Sequence, residues 1–590
     1  MSRAPLRCGA LVLTVTVAVA VPATAASAKA PKAPKPDFTL TILHANDLES
    51  SLLPITGTDG GTYGGADRFV QLVQQQQKAA VTGKPGAGQA GKRGVLTISA
   101  GDNFLPGPQL GASGEDPAQP IYDATAFTAA GFDVSIFGNH DFDQTPDYLS
   151  RWLDDVQGTT FVSGNLGFAA EPALLAQVQD GTIVAAHVEE IKGERVGIIG
   201  LTTPELPRLT SSRGVTVDPA LAAIANAQAA AYEAAGVDKV VLVSHLQDID
   251  NEVALAGQLH DVDVIVGGGG HELLADPGDP LVANGVTPYG SYPLTPTDAD
   301  GKVVPVVTTA ATYTYVGRLV VTFDDAGEVL AVDDDASRAI PVAAQGPDAV
   351  QPDAAVNREV VEPVREHVAA LAQEVVATSE VPLDGLRDDV RSRETNLGDL
   401  VADSLLAAGR REAEAAGVEA PLVALQNGGG IRNASTLPAG PISALDTYTV
   451  LPFANFVAVA PAVPVETFIA AVDRGLTPDG GFAQVAGYRV SYDAAQPVGS
   501  RIVDLVLDDG TVLVEGGALA TGAPETISVA TNDFTLRGGD GYPFDGVDFT
   551  VLPVTYQQAL ETYLTEDLGG TVTAADYPEG GEGRITAVTP

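Results

Sequence analysis

The chain has one cysteine in 590 residues. That residue, Cys8, lies ahead of an apolar run at the N-terminus, so no disulfide framework and no thiolate metal cluster can be built from this sequence. Cationic residues are also scarce. Against 76 Asp and Glu stand 32 Lys and Arg, a formal net charge of −44. This excludes the basic face that a nucleic-acid polymer requires. Any small anionic ligand approaches against the overall field and needs local cations where it binds. Beyond the N-terminal segment there is no apolar run of membrane-spanning length, so no membrane anchor is evident. There is no G-x-S-x-G element and no dinucleotide fingerprint. Histidine is sparse too, with seven residues.

The rest is ordinary for a folded protein, with 45% hydrophobic and 18% charged residues. The length is too great for one core and predicts two or three domains. At the N-terminus, Arg3 and Arg7 precede the apolar run Ala10 to Val21. Small-x-small patterns follow at Ala23-Thr24-Ala25 and Ala26-Ser27-Ala28. This is a secretory leader over residues 1–28, and it predicts an exported protein.

The most informative stretch is Gly138-Asn139-His140-Asp141-Phe142-Asp143. It follows Phe132 to Phe137, which reads as a short buried strand. An amide oxygen, an imidazole and two carboxylates then fall within five residues. That chemistry suits metal ligation and acid/base work. The same pattern recurs along the first half. The strand Phe38 to Leu43 leads to Asp47 and Glu49. The strand Val95 to Ser99 leads to Asp102. Strands at Lys239 to Ser244 and Val262 to Val266 lead to His245 and His271. Helices are expected over Asp67 to Gln77 and Pro219 to Gly236, so strands and helices alternate as in an α/β sheet. Polar residues gathered at strand ends in such a sheet form a site.

Residues 341–350 read as a turn-rich linker, and Ala355 to Ala377 as one long helix. A second domain then begins near 378. Its helix Leu397 to Arg411 carries Leu397, Leu400, Val401, Leu405 and Ala408 on one face, with Asn396 as N-cap. A strand at Val423 to Leu425 runs into Asn427-Gly428-Gly429-Gly430-Ile431-Arg432. Two weaker signals are set aside. Gly86 to Arg93 approximates a P-loop but has Arg93 where a hydroxyl is needed, and it precedes a strand. Asp298 to Gly301 resembles a calcium loop, but Pro296 occupies the first ligand position.

Together these motifs resemble the periplasmic and cell-surface 5′-nucleotidase family, over residues 38 to 585. The segments that carry the resemblance are Leu43-His44-x-Asn46-Asp47, Ala100-Gly101-Asp102, Gly138-Asn139-His140-x-Phe142-Asp143, Ser244-His245-Leu246, Gly-Gly-His271, Arg391-x-Arg393-Glu394-x-Asn396, Asn427-Gly-Gly-Gly-Ile431-Arg432, Leu451-Pro452-Phe453 and Gly538-Gly539-Asp540-Gly541. The resemblance implies an α/β protein with a calcineurin-like metallophosphoesterase α/β/β/α sandwich over 38–340. A connecting segment, 341–377, follows, and then an α+β nucleotidase domain over 378–590. It implies two divalent metal ions, with manganese, magnesium, calcium, cobalt and zinc all open.

Asp102 would bridge the two ions. Asp47 would hold the first ion, and Asn139, His245 and His271 the second. His140 would contact the phosphate, oriented by Asp143. In the second domain, Arg391 and Arg432 would contact phosphate, Phe453 and Phe534 would stack on the base, Asp540 would contact the ribose and Asn427 the base edge. The sequence departs from the family at two first-metal positions, where Glu49 and Leu273 stand. Glu49 can ligate as a hard oxygen donor, Leu273 cannot, and Glu272 or water is left to fill that place. The expected activity is 5′-phosphate release from a small nucleotide by a monomer or homodimer. A cyclic-nucleotide phosphodiesterase with 3′-nucleotidase activity, a UDP-sugar or nucleoside di- and triphosphate hydrolase, and a non-catalytic nucleotide binder are the alternatives.

Overall fold

Alternating apolar positions in Phe38–Ala45 and Lys92–Ser99 place Leu40, Ile42, Leu96 and Ile98 on one buried face. In the computed structural model these strands pair in parallel at the centre of the first sheet. The structure describes residues 34–588 apart from 115–118, 211, 284–286 and 454; the leader expected over 1–28, with Cys8, lies outside the described residues. The parallel run continues through Val134–Ser135, Thr160–Val162 and Ile183–Val184. Tyr315–Phe323 closes the other side, antiparallel to Phe38–Ala45.

A second sheet runs in the order Val306–Val307, Val264–Val266, Val240–His245, Glu194–Thr202, His187–Ile191. Val196, Ile198, Val241 and Val243 on its inner face share one core with the inner face of the first sheet. The outer face of the first sheet is covered by the helices Ala66–Val81, Tyr122–Ala130 and Thr145–Asp155, through Phe69, Phe127 and Trp152. The helices Leu221–Ala234 and Ile249–Ala256 cover the second sheet. The first half is therefore the expected four-layer α/β/β/α sandwich.

The second half is a mixed α/β domain. Its main sheet has the order Ala483–Ala486, Val423–Asn427, Thr526–Asn532, Phe456–Pro464, Thr550–Thr555. The helix Asn396–Ala416 packs Leu397, Leu400, Val401, Leu405 and Ala408 on one face of this sheet, as its periodicity predicts. The helix Val465–Arg474 packs Phe468 and Val472 on the other.

Several expectations need correction. The cap of the helix Asn396–Ala416 is Thr395, whose hydroxyl accepts from the Gly398 N–H at 3.0 Å; Asn396 is already helical. The expected helix over 355–377 ends at Leu371, and its Asn357–Val361 turn is a π-helix. Pro363, which lacks an N–H, follows that turn. Val375–Ser379 is a strand paired with Gly440–Ser443, so the valines there satisfy a ladder. Residues 341–350 are turn-rich, as expected, and are tied to the first half. Val342 is buried, donates to the Thr314 carbonyl at 2.8 Å and accepts from the Gly64 N–H at 2.8 Å. Of Phe132 to Phe137, only Val134–Ser135 joins the ladder.

The helix Tyr122–Ala130 carries a buried acid that the sequence reading passes over. Burial pushes Asp123, whose two carboxylate oxygens lack hydrogen-bond partners, up to about 7. The folded state thus holds this proton where the unfolded state has released it, and Asp123 lowers stability as the pH rises from about 3.8 to about 7. Asp123→Asn keeps the shape and removes the charge. It is expected to raise the melting temperature at pH 8. The gain should shrink steadily as the pH falls toward 4 in a thermal-denaturation series.

Candidate active site

Five parallel strands of the first half end on one edge of the sandwich, and the exit of each carries one or two polar side chains there. Asp47 and Glu49 follow Phe38–Ala45, Asp102 follows Lys92–Ser99, and Asn139 and His140 follow Val134–Ser135. His245 is the last residue of its strand, and His271 follows Val264–Val266. Four of these residues have left-handed backbone: Asp47 at φ 53°, Glu49 at 51°, Asp102 at 52° and His271 at 61°. Each such conformation is unfavourable for an L-residue. Strain repeated at one sheet edge points to function.

The side chains converge. His245 Nε2 lies 3.1 Å from Asp102 Oδ2 and 3.9 Å from Asp47 Oδ1. His271 Nε2 lies 2.9 Å from Glu49 Oε1 and 3.5 Å from Asp47 Oδ1. Ligand atoms of Asp47, Asp102 and His245 form one metal-sized group. Those of Asp47, Glu49 and His271 form a second, and those of Glu49, Asp102 and His140 a third. Asp47 Oδ1 and His245 Nε2 are buried without a hydrogen-bond partner. His245 Nδ1 is 2.8 Å from the Ala100 carbonyl and donates its proton there, so Nε2 is the ring atom that faces the carboxylates and binds a cation once its own proton has left. Buried, orphaned oxygen and nitrogen atoms facing one another are what a divalent cation satisfies, and two such ions fit this set.

The field at the site is strongly negative. Burial alone would keep His245 neutral, yet Asp102 and Asp47 raise it to about 10. Burial opposes ionisation of Asp102, but His245 and His140 hold it down to about 2. His140 is also raised, against burial, by Asp143 and Asp102. Its Nδ1 is 2.6 Å from Asp143 Oδ2, and the Thr210 hydroxyl donates to Asp143 Oδ1 at 2.7 Å. The His140 backbone N–H donates to Asp102 Oδ1 at 2.7 Å. This close wrap requires Gly138, where a Cβ would overlap the Asp102 carboxylate.

His271 groups with Glu49 and Asp47, the residues that the family likeness would place at the first ion. Glu272 does not reach toward the ligands; its Oε1 accepts from the Ile249 N–H at 3.3 Å. Leu273 is buried in an apolar cluster with Tyr63 and Tyr315. His44 is structural, held neutral by burial with a pKa near 3, its Nε2 2.7 Å from the Tyr292 hydroxyl. Asp141 is an organiser that the sequence reading leaves unassigned. It accepts from the N–H groups of Gly138, Asp102 and Asn103 at 2.8, 3.1 and 2.9 Å, tying two ligand loops together.

The second half gathers the other named residues at one end of its main sheet. Arg391 follows the short helix Arg387–Val390, and its Nε is buried without a partner. Burial, then the neighbouring charges of Arg387 and Arg432, lowers its pKa, so three guanidinium groups lie close together. Arg387 is not anticipated from the sequence. Its signal is the four-residue spacing to Arg391, one helical turn. The Arg432 guanidinium stands 5.3 Å from the centroid of the Phe453 ring. A Cβ at Gly539 would overlap the Phe534 ring, so glycine lets that ring lie against the backbone. Asp540, at φ 51°, accepts from Asn427 Nδ2 at 2.7 Å. Asn427 Oδ1 in turn accepts from Asn532 and Gln426 at 2.9 Å each. Asn427 thus holds Asp540 in place while its Nδ2 keeps a second N–H beyond the one given to Asp540.

A cavity of about 410 Å³ separates Gln144, Tyr148 and Arg151 of the first half from Tyr448, Phe453 and Phe456 of the second. Arg537 bridges the halves elsewhere, donating to the Pro207 carbonyl at 3.2 Å.

Comparison with known proteins agrees with this geometry. The family described as 5′-nucleotidase, C-terminal domain, matches residues 375–545. The crystal structure of a 5′-nucleotidase precursor from Thermus thermophilus superposes with a TM-score of 0.65 at 31% identity, covering 94% of this chain and all of that one. The 5′-nucleotidase of Diplobatis ommata is 27% identical over 86% of this chain and 83% of its own length. The trifunctional nucleotide phosphoesterase protein YfkN of Bacillus subtilis is 28% identical over 72% of this chain, which spans 28% of that longer protein. Full-length correspondence at this identity, over both halves, makes the chain a member of the 5′-nucleotidase family.

Proposed function

We propose that this protein is an exported, dinuclear-metal phosphohydrolase that releases phosphate from 5′-nucleotides held between its two halves. The observation that carries this reading is the strained carboxylate–imidazole cluster, whose buried Asp47 Oδ1 and His245 Nε2 lack partners. The proposed bounds are 1–28 for the leader, 38–340 for the metal-binding domain, 341–377 for the connection and 378–590 for the substrate domain.

Asp102 is assigned as the bridging ligand, Asp47, Glu49 and His271 as first-metal residues, and His245 with Asn139 as second-metal residues. Two divalent ions there would offset charge on the phosphate oxygens and activate the attacking water. His140 donates a hydrogen bond to the phosphoryl group, and Asp143 holds the ring by its Nδ1. Arg391 and Arg432 give the anionic substrate the local cations that the rest of the surface denies it, with planar forks that suit phosphate. Phe453 and Phe534 stack on the base, and Asp540 accepts from a ribose hydroxyl. Arg387 beside Arg391 favours a second reading, in which substrates carry more than one phosphate.

The test is phosphate release from AMP, ADP, UDP-glucose and 2′,3′-cyclic AMP. Metal-stripped protein would be supplied separately with manganese, magnesium, calcium, cobalt or zinc. Turnover of AMP or ADP, absent without metal and restored by at least one of these ions, is the expected result. Silence throughout, with AMP still bound, would leave a nucleotide binder. A further expectation concerns Gly539→Ala. Displacing the Phe534 ring removes stacking worth roughly 1–3 kcal/mol, so KM for AMP should rise about tenfold while kcat changes little.

A further inference from the structure

Gln247 lies two residues beyond His245, in a loop that the sequence motifs leave without a role. Its backbone is left-handed, at φ 74°, in the region where glycine is at ease and glutamine is not. Its side chain donates from Nε2 to Asn139 Oδ1 at 2.5 Å. That bond joins the exit loops of two different sheets, since Asn139 follows Val134–Ser135 and Gln247 follows Val240–His245. Gly269 locates the contact within the metal-binding edge. A Cβ on Gly269 would lie 2.9 Å from both the Gln247 backbone nitrogen and His245 Nε2, and its own N–H donates to Asp47 Oδ2 at 3.0 Å. Packing alone does not dictate where the Gln247 side chain goes, because the residue also lines an open cavity of about 580 Å³.

The chemistry of an amide gives this contact meaning. Asn139 can ligate a cation only through Oδ1, because its NH₂ has no lone pair to give. The oxygen has two acceptor directions, so one donor from the protein leaves one direction for a metal ion. A donor that fixes the amide also fixes which end is oxygen. Partners of this kind set ligand orientation and basicity at metal sites.

We propose that Gln247 is a positioning residue for the second metal, holding the Asn139 carboxamide so that its oxygen is directed into the site. This rests on the assignment of Asn139 as a ligand. The backbone strain at Gln247 is then the cost of placing a side-chain donor where glycine would fit more easily.

The test separates a positioning role from a merely structural one. Gln247→Gly removes the donor and relieves the backbone. Metal-free protein carrying Gln247→Gly should melt at or above the wild-type temperature. Its affinity for manganese, measured by calorimetric titration of the full chain, should fall about tenfold or more. Asn139→Ala should also weaken manganese binding, and adding Gln247→Gly to it should weaken binding no further. A structural tie between sheets would give the reverse pattern, with a lowered metal-free melting temperature and unchanged manganese affinity, and would overturn the proposal. Full additivity of the two substitutions would overturn it as well. If Asn139→Ala leaves manganese binding intact, the ligand assignment itself falls and the role of Gln247 falls with it. Restored turnover of wild-type protein by manganese reports separately on the hydrolase reading.

Discussion

Asp102→Asn is expected to lower phosphate release by roughly three orders of magnitude or more. Bridging two ions supplies several kcal/mol of transition-state stabilisation, and each 1.4 kcal/mol or so is a factor of ten in rate. Asp102 touches every part of the site. It faces His245 Nε2 through Oδ2, receives the His140 N–H through Oδ1 and shares a metal-sized group with Glu49. An amide there keeps the size, halves the acceptor capacity and removes the charge. The fold should survive because the amide keeps an oxygen for the His140 N–H, although losing the anion that faces His245 lowers the metal-free melting temperature. The measurement is turnover at saturating manganese together with the metal-free melting temperature. Retained activity would mean that Asp102 is not the bridge.

His140→Ala is the second large effect. Loss of a donor aimed at developing charge costs on the order of 10²–10³ in kcat. The informative companion is a manganese titration, because His140 also falls in a metal-sized group with Glu49 and Asp102. A phosphate-contacting His140 predicts a collapsed kcat with manganese affinity unchanged. A ligating His140 predicts that both fall. Asp143→Asn acts only through the His140 ring, so its loss should be smaller, about 10–100-fold. Thr210 supplies the other hydrogen bond to Asp143 and continues the same chain of support.

Most of the site is legible in the sequence because its residues sit where the pattern changes. A buried β-rich run that stops and is followed at once by Asp, Asn or His can be read without coordinates, and Asp47, Asp102, Asn139, His140 and His245 all stand out that way, with a glycine marking the break before Asp102 and Asn139. The sandwich follows from the alternation of strands with amphipathic helices. What escapes depends on distances between segments far apart in the chain. Asp141 and Gln247 look like ordinary loop residues until Gly138, Asn103 and Asn139 are brought beside them. The bonds of Asn427 to Asp540 and Asn532 are equally hidden, because those partners are more than a hundred residues away. The helix expected over 355–377 is too long because charged, alanine-rich sequence favours helix locally, whereas Val375 and Val376 answer to a strand partner at 440–443. The grouping of His271 with Glu49 is not readable either, because left-handed backbone at a histidine leaves no mark in the sequence.

All of the assigned ligands except His245 lie in loops beyond the ends of their strands, so no ladder hydrogen bond depends on their identity. Over evolutionary time this separates two kinds of change. The sheets can keep their register while the rim exchanges one donor for another. Glu49, standing where relatives are expected to carry histidine, is such an exchange, whereas Leu273, turned into the core, is a donor given up. A lineage can thereby drift from one metal preference to the next through folded intermediates, with its architecture already in place at every step.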